Sequence, residues 1–358
     1  MNRINTILAT CLIASSITSC KDNDVEPIII TPPSSGTTLT LNGLIGAEAG
    51  SSAGNSVYVD LSADKQTAID RSSWDLGFSS SSEFRVILNN SASAGVKVTD
   101  KINLTDIGEQ DTIGLTLAIN QASPSAADFN YFDGLDGALS NTVIPAISAT
   151  ESDNKVIILN RGTGGGIAAR PWVKLKVTRS TNGDYVLQYG TIKQTTGFKT
   201  VTITKDSKYN FNFLSLNSGT KIQVEPEKAN WDFVWGYSVY KTTFGNATVA
   251  YNFSDLVFTN THNGTEIAEV ITSETNPLTY NTFTASDLTN KNIVFSKNRD
   301  VIGSNWRATT GASIGVKTDR FYIVKDSAGN IYKLKFNSFI SNDGGTRGKP
   351  VIQYELLK

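Results

Sequence analysis

Two short stretches with one shared pattern, SWDLGF at residues 73–78 and NWDFVW at residues 230–235, decide how this chain is expected to fold. In each stretch a Trp-Asp pair precedes an apolar alternation, which is the pattern of a strand with one buried face. The indole suits a core pocket, and the carboxylate suits the backbone N–H groups of a turn. Trp74 and Trp231 lie 157 positions apart, so we predict two related β domains.

Length and charge agree with this prediction. A chain of 358 residues exceeds what one hydrophobic core usually serves, and two domains of about 150 residues each are expected. The formal net charge is -1, from 32 basic and 33 acidic residues, so no excess of positive charge indicates binding to nucleic acid. We place the first β domain at 39–197 and the second at 198–358.

Alternating apolar residues and turn signals predict an all-β, antiparallel fold in both domains. The clearest hairpins cover residues 172–189, with an Asn182-Gly183 turn, and residues 320–336. Residues 105–140 lack this alternation and are expected to form a short helix or an ordered loop. Further strands are predicted within residues 57–61, 84–88, 201–203, 248–258 and 351–357.

The first residues resemble a bacterial lipoprotein signal. A short basic start is followed by an apolar stretch at residues 7–17, too short to span a bilayer, and by small residues before Cys20. The resemblance implies a signal peptide at 1–19, cleavage before Cys20, lipidation of its thiol and a tether at 20–38. The acidic run that follows Cys20 looks like a surface-export signal. We therefore expect an outer-membrane lipoprotein, anchored by lipid and exposed at the cell surface; an ordinary secretory signal is the alternative.

Cysteine usage excludes several kinds of chemistry. Cys11 leaves with the signal peptide and Cys20 carries lipid, so the mature chain holds no free thiol and no disulfide. Cysteine catalysis, zinc fingers and iron–sulfur clusters are therefore not expected.

Residues 319–336 and 344–354, together with the two Trp-Asp stretches and the lipobox, resemble the HmuY family of surface lipoproteins. The resemblance is best over about 200–358 and weaker over about 40–200. It implies two HmuY-like antiparallel β domains in tandem. It also implies that the protein binds heme and passes it to a TonB-dependent outer-membrane receptor.

In the HmuY family, heme iron is held by a pair of His or Met side chains. This sequence departs from that pattern, because its only histidine is His262 and its only methionine is Met1. The remaining heme-binding candidates are His262, Tyr237 and Tyr240, since a tyrosine phenolate can also hold iron. The alternatives are a solvated loop histidine and tyrosines that serve as core or cross-strand partners.

Other motifs give weaker signals. Residues 311–315 match G-x-S-x-G, but a strand rather than a helix is predicted after Ser313, and His262 precedes it. Residues 162–166 are glycine-rich without phosphate-loop spacing and are expected to form a flexible loop. Oxygen-bearing side chains that could bind calcium cluster at Asp128, Asn130, Asp133 and Asp136. Their spacing does not match that of a calcium-binding loop, so a calcium site is a weak alternative.

The sequence thus predicts a surface lipoprotein that binds heme or a related porphyrin and does no catalysis. The alternative is a non-heme interaction or adhesion lipoprotein that keeps the HmuY-like fold and binds a glycan or a protein.

Overall fold

Antiparallel β-strands make up most of the regular secondary structure of the described residues, as predicted. The computed structural model describes residues 32–291 and 293–358, and these ranges contain twenty strands, short 3-10 turns and one short α-helix, α1 (Asp287–Asn290). The predicted signal peptide, the lipidated Cys20 and most of the tether lie outside the described residues. Pro33–Lys358 forms one compact unit. No helix in the described residues is long and apolar enough to cross a membrane.

The strands in chain order are β1 (Thr38–Thr40), β2 (Asn55–Asp60), β3 (Lys65–Asp70), β4 (Leu76–Ser79), β5 (Val86–Leu88), β6 (Gly95–Val98), β7 (Ile157–Asn160), β8 (Val173–Arg179), β9 (Tyr185–Thr191), β10 (Lys199–Ile203), β11 (Phe211–Ser215), β12 (Thr220–Ile222), β13 (Phe233–Phe244), β14 (Ala247–Thr259), β15 (Glu266–Ile271), β16 (Arg307–Ala308), β17 (Gly315–Val316), β18 (Arg320–Lys325), β19 (Ile331–Ser338) and β20 (Val351–Leu356). The predicted hairpins are β8–β9 and β18–β19, and the predicted last strand is β20. Residues 105–140 form an ordered loop with short 3-10 turns.

Apart from the two-stranded sheet β16-β17, the strands form two halves of the same design, each with a four-stranded and a five-stranded sheet. The first half has sheet orders β12-β11-β4-β5 and β10-β9-β8-β7-β6. The second half has sheet orders β14-β13-β2-β3 and β1-β20-β19-β18-β15. Each half buries its own apolar core, which includes Phe78, Leu175 and Leu187 in the first half and Trp235, Trp306 and Leu334 in the second.

Strand pairing crosses the predicted boundary at residue 198. Strand β4 follows the first Trp-Asp pair, yet it pairs with β11 from the second copy of the repeat. Strand β13 follows the second pair, and it pairs with β2 from the first copy. In the same way β10 pairs with β9, and β1 pairs with β20. The first half is therefore the continuous run β4–β12, whereas the second half joins β1–β3 to β13–β20.

The two Trp-Asp pairs make matching hydrogen bonds across this exchange. Asp75 Oδ2 accepts the N–H of Leu216, which follows β11, at 2.7 Å. Asp232 Oδ2 accepts the N–H of Leu61, which follows β2, at 2.8 Å. Each carboxylate thus fixes the end of a hairpin that the other copy supplies, which is the backbone role expected for it from the sequence.

An asparagine completes each Trp-Asp arrangement. Asn89 Nδ2 donates to the carbonyl of Trp74 at 2.8 Å, and Asn260 Nδ2 donates to the carbonyl of Trp231 at 2.9 Å. These bonds hold the chain on both sides of the strand pair, so residues that follow Asn89 and Asn260 occupy equivalent places in the two copies. Ser91 in the first copy therefore corresponds to His262 in the second.

The two aspartates differ in their charge partners. Asp75 forms a bidentate pair with Arg161, with both N–O distances 2.8 Å, and lies 3.3 Å from Arg170. Asp232 has no cationic partner within the described residues. Burial, together with the nearby charges of Asp60 and Asp326, raises the pKa of Asp232 to about 8.

This difference predicts opposite results for one substitution at equivalent sites. Asp75→Asn leaves two buried guanidinium groups without their anion, so we expect the free energy of unfolding to fall by about 3 kcal/mol or more. Asp232→Asn keeps an acceptor for Leu61 and removes an acid that burial forces to stay protonated at pH 7, so we expect the free energy of unfolding to stay the same or to rise. Urea unfolding at pH 7 measures both variants, and equal losses would contradict this assignment.

The raised pKa of Asp232 also predicts a pH dependence. Above its ordinary value of 3.8 the unfolded chain loses this proton, while the folded chain keeps it up to about 8. The free energy of unfolding should therefore fall between about pH 4 and pH 8, and Glu225, whose pKa burial also raises to about 8, should act in the same direction. Urea midpoints at pH 5 and pH 8 test this, and the decline should be smaller in Asp232→Asn. An equal decline in both proteins would refute the role of Asp232.

Candidate functional site

A cleft with aromatic walls lies where the two four-stranded sheets face each other. Both Trp-Asp tryptophans line this aromatic cleft, which has a volume of about 180 Å³ and opens to solvent. Trp74 packs edge to face on Phe213, with ring centroids 4.8 Å apart. Trp231 packs in the same way on Tyr58 at 5.0 Å. The duplicated frame therefore supplies two equivalent aromatic walls, one from each side.

His262 lies at the rim of the aromatic cleft. It sits in the short turn Thr261–Asn263 that follows β14, and its ring stands edge-on to Phe211 with centroids 5.3 Å apart. The residue is solvent-exposed on one side, yet the surrounding protein and the charge of Arg299 lower the pKa of its imidazole. A neutral imidazole at neutral pH keeps a nitrogen lone pair that can bind a metal ion.

The structure separates the two tyrosine candidates. Tyr237 lines the aromatic cleft. It lies at a β-bulge, where the pairing of β13 with β14 shifts register between Gly236 and Ser238, and a bulge changes the direction of the side chain it contains. Tyr240 is not among the residues that line it, and its hydroxyl donates to Asp300 at 2.8 Å. Burial raises the pKa of both tyrosines, so neither readily forms the phenolate that would bind iron.

Arg299 is a cleft residue that the sequence did not single out. It lies between α1 and β16, and its guanidinium stacks on the ring of Phe258 at 4.1 Å from the centroid. Its Nε is buried without a hydrogen-bond partner in the described residues. A charged residue in a polar loop usually indicates a solvated surface, and no local pattern near Arg299 marks it as part of a site.

Two carboxyl groups also border the aromatic cleft. Glu225 is 3% exposed, accepts the N–H of Phe211 at 2.8 Å, and has its pKa raised by burial to about 8. Asp133 accepts the N–H groups of Leu88 and Val143, and burial raises its pKa to about 6. Burial therefore favours the neutral form of both carboxyl groups, and more strongly for Glu225 than for Asp133.

A second, polar cleft lies beside the first and shares Tyr237 with it. Hydroxyl and amide groups dominate its lining, among them those of Ser51, Ser93, Thr163, Gln121 and Asn252. The volume of this polar cleft is about 500 Å³. Its chemistry is that of a site for a neutral polar ligand.

Arg71 holds the glycine-rich loop that forms one side of the polar cleft. Its buried guanidinium donates to the carbonyls of Ala53, Ser91, Gly164 and Gly165 at 2.6–2.8 Å and stacks on Tyr237 at 4.6 Å. The loop at 162–166 is thus fixed, where the sequence predicted flexibility. Its carbonyls point at a cation, whereas a phosphate cradle presents N–H groups.

The remaining sequence candidates do not form sites. Asp128 caps the turn that starts after Ser125, and Asp136 binds Asn141, so these side chains have separate local partners. Within the described residues no group of three or more His, Cys, Asp or Glu side chains is placed to hold a metal ion. Ser313 is exposed in a bend, and strand β17 follows it where a nucleophile elbow would need a helix.

The fold and the cleft define an all-β protein of duplicated design with an aromatic cleft between its two four-stranded sheets. A family model described as HmuY protein matches residues 52–354, and the chain therefore belongs to the HmuY family. This single match is continuous through both copies of the Trp-Asp motif. At the level of the family, its members are surface-associated proteins that bind heme and are not enzymes. No curated protein and no solved structure matches the chain.

The Arg71 contacts predict that charge alone cannot hold the glycine-rich loop. Arg71→Lys keeps the positive charge but loses the planar fork that reaches several carbonyls, so we expect a loss of stability of about 2 kcal/mol. Amide hydrogen exchange at Gly164 to Gly166 should speed up more than exchange in β8 and β9. Unchanged exchange at the loop would contradict the role assigned to Arg71.

Proposed function

We propose that this protein binds heme or a related porphyrin in the aromatic cleft and passes it to an outer-membrane receptor. The observation that carries the proposal is the cleft itself, in which Trp74 and Trp231 face inward and His262 stands at the rim. Aromatic walls suit a flat conjugated macrocycle, since stacking and edge contacts stabilise it beyond the burial of its area. Membership of the HmuY family supports the same ligand class.

The iron would receive one protein ligand, from His262. Its imidazole is neutral at pH 7 and lies beside the aromatic wall at Phe211. Tyr237 is a poor second ligand because burial keeps its hydroxyl protonated, and Tyr240 is held by Asp300. Binding therefore depends mainly on contacts with the macrocycle, in contrast to a family pattern of two His or Met ligands.

The open rim supports a transfer role. A ligand that is held by one exposed side chain and by apolar walls can be released without unfolding of the site, which favours rapid dissociation. We propose that Cys20 carries the lipid anchor, which would keep the protein at the outer membrane beside a TonB-dependent receptor. This arrangement gives a carrier rather than an enzyme.

A second candidate function is favoured by the polar cleft. Its hydroxyl and amide groups, with Tyr237 at one side, resemble in their chemistry a site for a sugar, which binds through hydrogen bonds and stacking on an aromatic ring. In this alternative the protein is a non-heme surface interaction or adhesion lipoprotein that binds a glycan and keeps the HmuY-like fold.

A spectroscopic titration tests the first proposal. Ferric heme added to the purified protein should give a saturable, sharpened Soret band, and His262→Ala should shift that band and weaken binding about tenfold, because the axial bond is lost. Iron-free protoporphyrin IX should bind the wild-type protein and His262→Ala alike, since it makes no axial bond.

Tyr240→Phe is the matched control. Tyr240 does not line the aromatic cleft, so this substitution should leave both titrations unchanged. The absence of saturable binding by either porphyrin would rule out the heme proposal. In that case binding of neutral glycans, compared between the wild-type protein and Asn252→Ala in the polar cleft, tests the alternative.

A further inference from the structure

We infer that Arg299, with the indole N–H of Trp231 and the hydroxyl of Thr259, forms an anion-binding subsite of the aromatic cleft that takes a carboxylate of the ligand. This inference rests on the proposed function, since the ligand that it describes is a porphyrin or another flat aromatic acid. It adds a group that the ligand must carry and the residues that recognise it.

The first step is the missing partner of Arg299. Its guanidinium nitrogens make no hydrogen bond and no ion pair with any described residue, and its Nε is buried. A buried or half-buried charge is costly unless it is paired, because it loses solvation without compensation. Stacking on Phe258 leaves the edge of the guanidinium, which carries the N–H groups, free to bind an acceptor.

The second step is that the nearby acids are already engaged elsewhere. Asp300 accepts from Tyr240 at 2.8 Å and lies 3.7 Å from Lys241, and Asp136 accepts from Asn141. Asp133 accepts two backbone N–H groups. Burial lowers the pKa of Arg299, and the charges of these three carboxyl groups only partly oppose that shift, since none lies within ion-pair distance of the guanidinium.

The third step is a pair of further donors on the same cleft. Trp231 Nε1 and Thr259 Oγ1 are both buried and have no hydrogen-bond partner within the described part of the chain. The backbone N–H of Thr259 donates to the carbonyl of Arg299 at 2.8 Å, so these two residues are neighbours. Buried polar groups in native proteins are nearly always satisfied, and one anionic acceptor can receive bonds from several donors.

The chemical class of the ligand follows from the two parts of the cleft. The aromatic walls accept a flat apolar body, and a guanidinium beside N–H and O–H donors matches a planar carboxylate. The first copy of the repeat has no equivalent cation in the cleft, since Asp133 is the charged residue it contributes there. The subsite therefore fixes the direction in which an asymmetric ligand enters.

The experiment compares protoporphyrin IX, which has two carboxylates, with its dimethyl ester. Binding is measured by quenching of tryptophan fluorescence for the wild-type protein, Arg299→Gln and Arg299→Lys. We expect Arg299→Gln to weaken binding of the acid at least about tenfold and to leave binding of the ester unchanged, because only the acid uses the charge. Arg299→Lys should fall between the two, since it keeps the charge and loses the planar fork.

Arg320→Gln is the matched control. Arg320 already pairs with Asp319 and Glu269 at the start of β18, outside both clefts, and its substitution should not change binding of either porphyrin. Salt should weaken binding of the acid to the wild-type protein but not to Arg299→Gln.

The outcomes separate the subsite from the proposed function. Equal affinity of acid and ester for the wild-type protein, with Arg299→Gln indistinguishable from it, would overturn the subsite and leave the porphyrin proposal intact. If neither porphyrin binds, the proposed function fails, and 1-naphthoate is compared with 1-naphthalenemethanol. Quenching by naphthoate alone, lost in Arg299→Gln, would retain the anion subsite for another aromatic acid; any other result would overturn it.

Discussion

The hydrogen bond that each Trp-Asp carboxylate accepts from a backbone N–H of the other copy is the contact on which this architecture depends. Asp75 fixes the end of β11, and Asp232 fixes the end of β2, so neither half is complete without a hairpin from the other copy. The same bonds place Trp74 and Trp231 with their indoles facing one cleft. Structure and candidate site therefore have a common origin, since the residue pair that orders the sheets also builds the aromatic walls.

The frame is duplicated, but its chemistry is not. Equivalent contacts hold the aromatic walls on both sides, whereas Arg299 and His262 at the cleft both come from the second copy. His262 of the second copy occupies the place that Ser91 has in the first. Phe211 and Ser56 are also equivalent, since each lies two positions before the aromatic residue, Phe213 or Tyr58, that packs on a Trp-Asp tryptophan. Duplication gives the cleft two equivalent aromatic walls, and changes in one copy alone can then make its binding surface directional without loss of the core.

The sequence predicted those features that depend on local patterns. Both Trp-Asp strands and the hairpins β8–β9 and β18–β19 follow from alternation and turn residues close together in the chain. The exchange of β2–β3 and β11–β12 was not predictable, because each hairpin carries the same pattern whichever sheet it joins. His262 was found because it is the only histidine, whereas the different positions of Tyr237 and Tyr240 depend on a bulge and on how far β13 extends. Arg299 is identified only from the folded structure, in which its guanidinium has no hydrogen-bond or ion-pair partner among the described residues.

The exchange of strands also sets an order of assembly. Strands β4–β12 are continuous in the chain, and even the distant pairing of Ser79 in β4 with Phe211 in β11 lies within this run. Strands β1 and β2 must wait for β20 and β13, and Thr38 pairs with Gln353 at the opposite end of the sequence. Contacts between residues this far apart have a high entropic cost of closure and form slowly. The first half can thus fold while the remainder is still being made, and the chain becomes topologically closed only when its last strand meets its first.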